Sequence, residues 1–103
     1  MKFGLSDSEF KLLEDLFFNP IQKWGGSVWV FGSRARGDHH PFSDLDILFD
    51  AKLPAGWLRN TKEKLEESNL PFKVDIVELH SLAESYRTQV FKERVKIVSP
   101  ETL

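Results

Sequence analysis

The chain has no cysteine among its 103 residues. Disulfides and thiolate metal centres are therefore excluded, and redox chemistry does not fix the compartment. Long apolar runs are missing too: nothing approaches the ~20 residues of a membrane-spanning helix. Met1-Lys2-Phe3-Gly4-Leu5-Ser6-Asp7 lacks the apolar stretch of a secretion signal. A cytoplasmic protein with no membrane partner is the expectation. Nor is there an excess of positive charge. Lys and Arg number 14 against 16 Asp and Glu, a net charge of −2. No general attraction to nucleic acid follows, and no direct nucleic-acid binding is expected, a local basic patch aside. Repeats, low-complexity tracts and linkers are absent, so residues 1–103 are expected to form one domain around one core.

What is present is a regular alternation of patterns. Ser6 with Glu9 makes a capping box, and Phe10, Leu13, Leu16 and Phe17 recur at helical spacing, which predicts a helix over 6–19. Asn19-Pro20 ends it or starts a turn, and Trp24-Gly25-Gly26 continues the break. Val28 to Phe31 reads as a short apolar strand, followed by a polar arm from Gly32 to Ser43 and a second strand from Asp44 to Phe49. A helix over 55–69 has Trp57 or Leu58, Thr61 and Leu65 on its apolar side. Glu63, Glu66 and Glu67 with Lys62 and Lys64 form its solvated side. Phe72 to Leu79 alternates as a third strand. Ser81 with Glu84 predicts a last capped helix from Leu82 to Arg94, with Leu82, Tyr86 and Val90 on one stripe. Val95–Val98 is expected as a short closing strand and Pro100–Leu103 as a frayed end. The order predicts a two-layer α/β (α+β) domain, a small mixed sheet with helices packed on it.

The chemistry concentrates in 28–50. Asp44 and Asp46 stand at i and i+2 on a strand and so share one face, while Leu45 and Ile47 point the other way into a core. Two neighbouring acids repel each other unless a cation lies between them. Oxygen ligands of this kind suit Mg²⁺. Asp75 is a third acid, set between Val74 and Ile76 in an apolar strand where propensity and desolvation both disfavour it. A place beside Asp44 and Asp46 around a shared metal accounts for it, as an exposed strand end would for any one acid alone. The Gly32-Ser33 turn after a strand offers free backbone N–H groups to an anion. A metal site and an anion site on one hairpin-like unit point to a nucleoside triphosphate.

Other features carry less. Gly32-x4-Gly37 imitates the start of a P-loop, but Asp38-His39 stands where Lys-Ser/Thr is required. Arg34 and Arg36 either add positive charge near the phosphates or are solvated arms. His39 and His40 point apart on an extended arm and read as solvated loop residues, and His80 as a strand-end residue. Tyr86 reads as core or interface. Trp24, Trp29 and Trp57 read as packing, with one of them or a helix face open to a partner protein.

Gly32-Ser33, ten intervening residues, then Asp44-Leu45-Asp46 resembles the signature of the DNA polymerase β-like nucleotidyltransferase superfamily. Four fixed positions arise by chance on the order of once per thousand chains of this length. The longer string Phe31-Gly32-Ser33-Arg34-Ala35-Arg36-Gly37 and then Phe42-Ser43-Asp44-Leu45-Asp46-Ile47 is similar to the minimal nucleotidyltransferases of prokaryotes, usually encoded beside a helical HEPN-domain partner. The resemblance implies that Gly32 and Ser33 hold the triphosphate of ATP; Arg34 and Arg36 join them as nucleotide-binding candidates by their charge alone. It further implies that Asp44, Asp46 and Asp75 bind two Mg²⁺ ions and are the catalytic residues. In the resembling family some pairs are toxin and antitoxin, and AMP passes to a tyrosine of the toxin, an RNase. An antitoxin of this kind is the leading expectation. A two-component enzyme with a small-molecule acceptor and a masking antitoxin without catalysis are the alternatives.

Overall fold

The computed structural model describes residues 2–97. Met1, Val98 and the Pro100–Leu103 end lie outside the described residues. Ser6 opens helix α1 (Asp7–Leu13) with a complete capping box. Its Oγ accepts from the Glu9 N–H at 3.2 Å, and Glu9 Oε1 accepts from the Ser6 N–H at 2.8 Å. The helix does not end at Pro20 as the sequence predicts. It widens into a π turn over Glu14–Phe18, where the Asn19 N–H reaches back to the Glu14 carbonyl, and continues as α2 (Asn19–Lys23). A proline inside an α-helix lacks a donor and strikes the carbonyl four residues back; a wider turn just before it shifts that register and places Pro20 in a first turn, where neither matters. Bonds from Trp24, Gly25 and Gly26 to carbonyls of α2 then close the run.

Four strands follow: β1 (Ser27–Phe31), β2 (Leu45–Asp50), β3 (Val74–Glu78) and β4 (Val95–Lys96). They form one mixed sheet in the order β3-β2-β1-β4. β2 and β4 run antiparallel to β1, whereas β3 runs parallel to β2. Antiparallel neighbours can be joined by a short arm, here carrying the single turn α3 (Ser33–Arg36). Parallel neighbours need a crossover, and residues 51–73 supply it with helix α4 (Trp57–Glu66).

The core fills one face of this sheet. Val28 and Val30 of β1 and Leu45, Ile47 and Phe49 of β2 bury against Leu13, Phe17, Phe18 and Ile21, with Leu65 of α4 closing the side. Each fully buried apolar side chain of this size contributes about 1.5–3 kcal/mol. Two of the tryptophans are packing residues: Trp57 lies 5.6 Å from Phe17, centroid to centroid, and Trp24 meets Trp57 edge-on at 5.1 Å. By strand alternation Trp29, Leu48 and Asp46 look to the other face, where the Arg94 guanidinium stacks on Trp29 at 4.5 Å.

The last helix differs from its prediction. It is α5 (Glu84–Glu93), starting behind Ala83 with no side-chain cap. Leu79–Ser81 form a 3-10 turn that sets Ser81 too early to cap, and its hydroxyl donates to Glu78 Oε2 instead. Of the expected stripe only Val90 is buried, while Tyr86 is 65% exposed. Among the described residues no helix is long and apolar enough to cross a membrane.

Removing the cap tests the first link from sequence to fold. Ser6→Ala is expected to lower stability by about 1 kcal/mol, a fall in Tm of about 4–8 °C for a domain of this size. An unchanged melting curve would show that the box contributes nothing.

Candidate active site

β1 ends at Phe31, and the chain turns at Gly32 with φ 77° and ψ −158°. Only glycine adopts this backbone without strain. Contact demands it as well, because a Cβ at position 32 would run into Asp46 Oδ2. The turn of α3 then closes on itself: Ala35 and Arg36 N–H groups bond to the Gly32 carbonyl, and Gly37 N–H to that of Ser33. Gly32 and Ser33 therefore sit at the head of one helical turn, against the acid-bearing end of β2.

The three predicted aspartates lie at this same end of the sheet. Asp46 and Asp75 are register partners across the parallel β2–β3 pair. Asp44 lies two positions earlier on the same extended run, held by the Leu45 N–H bond to the Lys73 carbonyl at 2.8 Å. Burial pushes the Asp46 carboxyl up to about 6, and Asp75, Asp44 and Glu93 push it the same way by charge repulsion against a smaller pull from Arg36. Among the described residues no hydrogen bond offsets that repulsion. Asp75 has partial relief from Lys73 Nζ at 3.6 Å. A set of carboxylates, Asp46 and Asp75 partly buried and Asp44 exposed, with too little positive charge fits a hard divalent cation, whose charge reverses the repulsion. These three are the residues that would hold it. Beside Asp75, between α4 and β3, opens a groove of about 410 Å³ lined by Lys62, Leu65, Leu70, Phe72 and Lys73 among others.

The two arginines part company. Arg36 is in reach of the acids and donates to Asp38 at 3.1 Å and to both carboxylate oxygens of Glu93 at 3.2 and 3.1 Å. Arg34 is 2% exposed. Its guanidinium donates to the carbonyls of Phe3, Pro41 and Ser43 at 2.9, 3.1 and 3.0 Å and stacks on Phe72 at 4.3 Å. It fixes the arm rather than facing a nucleotide, which corrects the expectation: two carbonyls of the arm and one of the N-terminal turn need donors, and Arg34 supplies them, tying the arm to the N-terminus. His39 is likewise packed against Gly4 rather than solvated.

Glu93 was not predicted. Its carboxylate accepts the Gly32 N–H at 3.0 Å as well as Arg36, a contact spanning 61 residues of sequence. Burial opposes its charge, yet hydrogen bonds from Gln89, Arg36 and Gly32 hold its carboxyl below the usual range. One sequence signal existed: an acid in the last turn of a helix opposes the helix dipole and needs a partner there. A separate group, Asp50, Glu78 and His80, lies at the opposite ends of β2 and β3, with ligand atoms within 4.8 Å of one another. Four residues along β2 put it ~13 Å from Asp46, so it is no part of this site.

Residues 26–102 match the family model described as polymerase beta, nucleotidyltransferase. Over 77 residues the chain is 35% identical to the protein adenylyltransferase MntA assigned in Haemophilus influenzae, covering 73% of this chain and 68% of that one. A solved structure assigned as a minimal nucleotidyltransferase superposes with a TM-score of 0.65 at 29% identity, over 94% of this chain and 97% of that chain. A variant of the toxin–antitoxin MntA–HpeT gives 0.60 at 26% identity, over 95% and 76%.

Two outcomes follow from these side chains. Because Asp46 titrates at about 6 against an ordinary 3.8, its contribution to stability is fully present below pH 3.8 and is lost as pH rises through 6. In EDTA, Asp46→Asn is therefore expected to stabilise the protein by on the order of 1 kcal/mol at pH 7.5, after discounting for partial exposure, and progressively less towards pH 4. Denaturant melts across that range check it, and a pH-independent difference would remove the electrostatic cause. Arg34→Ala should destabilise by about 3 kcal/mol or more, since it strands buried carbonyls; a melt within a degree of wild type would refute that role.

Proposed function

Since the chain belongs to the polymerase β nucleotidyltransferase family, we propose that it is a Mg²⁺-dependent adenylyltransferase that passes AMP from ATP to a hydroxyl, that of a tyrosine, on a HEPN-type helical toxin, and so acts as its antitoxin. The observation that carries this is the in-register pair Asp46–Asp75, with Asp44 beside it, set against the Gly32–Ser33 turn. The 35% identity to a protein adenylyltransferase supports ATP as donor and protein as acceptor. The likeness to MntA–HpeT supports the toxin–antitoxin setting.

In this reading the residues divide the work. Ser33 and the backbone at the head of α3, with Arg36, bind the triphosphate and aim its α-phosphorus at the acids. Asp44, Asp46 and Asp75 would hold the metal ions, which supply charge to the attacking and leaving oxygens of an in-line displacement. The acceptor oxygen forms a bond to the α-phosphorus, the bond from that phosphorus to the bridging oxygen breaks, and pyrophosphate departs. Asp75, beside the open groove, is placed to take the proton that the acceptor hydroxyl loses. Asp46 serves only when ionised, so the metal-free protein at pH 5 presents a weaker site than at pH 7.5.

The test is label transfer in Mg²⁺ with the neighbouring helical protein as acceptor, comparing α-labelled with γ-labelled ATP. The expected result is protein label from the α position alone, reduced by about 10²-fold or more in Asp44→Asn and Asp46→Asn. Label from the γ position would mean phosphoryl transfer and overturn the mechanism. Neutralisation of the toxin that persists in Asp46→Asn would point to masking.

A further inference from the structure

Glu93 is held more tightly than its place in the molecule requires. Helix α5 buries one apolar side chain, Val90, and leaves Tyr86 and Phe91 exposed, so packing fixes this helix weakly. Its last turn is nevertheless tied to the head of α3. Glu93 Oε1 accepts from the Gly32 N–H at 3.0 Å, both oxygens accept from Arg36 Nη1 at 3.2 and 3.1 Å, and Gln89 Nε2 donates to Oε2 at 3.1 Å. The Glu93 side chain is 10% exposed, while that of Arg36 is 43% exposed. A tie that served the fold alone would need only the Gly32 bond, because an ion pair to an exposed arginine adds little stability.

The arginine explains the excess. Its guanidinium carries donors on Nε, Nη1 and Nη2. Asp38 takes Nε and Glu93 takes Nη1, and Nη2 has no protein partner among the described residues. A long cationic side chain ordinarily gives up its rotamer freedom when it meets an anion; one clamped between two carboxylates has already given it up on folding.

We propose that Glu93 is the positioning residue of the phosphate arm, holding the Gly32 turn and orienting Arg36 so that its Nη2 edge meets the triphosphate. This rests on the nucleotide reading of the site given above. Glu93 touches neither substrate nor reacting atoms and acts through Gly32 and Arg36. It also makes α5 a working part of the site, since the position of this lightly packed helix sets the arginine.

Glu93→Gln separates the two roles: its amide oxygen still accepts from the Gly32 N–H, but the charge that orients Arg36 is gone. The experiment combines Glu93→Gln, Glu93→Asp, Arg36→Ala and the Glu93→Gln/Arg36→Ala double variant in the full chain. Melting temperature, calorimetric affinity for ATP in Mg²⁺, and KM and kcat with the helical partner are measured for each. Glu93→Gln is expected to melt near wild type, bind ATP about tenfold more weakly and raise KM to match, with kcat little changed. Glu93→Asp recovers part of the loss, and Glu93→Gln changes nothing further once Arg36 is removed. Affinity equal to wild type in Glu93→Gln overturns the proposal, and so does an equal loss in the presence and absence of Arg36. Tighter binding overturns it as well, by making Glu93 a competitor of the phosphate. Wild type that binds no ATP brings down the nucleotide reading itself, and this inference with it.

Discussion

Two carboxylates in register on neighbouring parallel strands repel each other, and the rest of the structure is arranged so that they stay there. The backbones that carry Asp46 and Asp75 cannot move apart without unpairing β2 from β3. What holds the pair is apolar: Leu45 and Ile47, on either side of Asp46, are fully buried. The ladder and the core thus fix a charge arrangement that is unfavourable by itself. Sites of this kind trade local stability for a binding capacity that appears only when a cation arrives. The crossover through α4 is what lets β3 run parallel to β2, with residue 75 beside residue 46.

How much of this was legible in the sequence depends on the range of the interaction. The spacing of Asp44 and Asp46, the isolation of Asp75 in an apolar strand, and the glycine at 32 are local facts, and the strand register that sets Asp75 beside Asp46 follows the expected pattern. Family resemblance sharpened them, but the strand alternation alone puts the two acids on one face. Pro20 misled because the rule against proline in helices assumes an unbroken α register, and the π turn over Glu14–Phe18 changes that register. Arg34 and Arg36 are chemically alike two residues apart. Which one faces the site is decided by where the arm lays its carbonyls, and residue spacing does not encode that path. Glu93 was hidden by distance along the chain, and Ser81 misled because a 3-10 turn intervened before the helix.

The site is therefore built in two halves of unequal rigidity. The acids stand on central and neighbouring strands of the sheet, rooted in the core. The donors proposed to face the triphosphate stand on a turn of four residues, Ser33–Arg36. That turn is tied from the side by Glu93 of α5, whose carboxylate accepts the Gly32 N–H. Arg34, although not in the site, matters to the same half, because it pins the arm that returns the chain from α3 to β2.

The position of β3 has one more meaning. It is the last strand of the sheet on its side, so Asp75 is bordered by Asp46 on one flank and by no strand on the other. A residue in the middle of a sheet can be reached only from above, through a cleft sized to its ligand. A residue on a rim can be approached laterally, by an object of any bulk whose surface offers one protruding group. The edge is thus left accessible and charged.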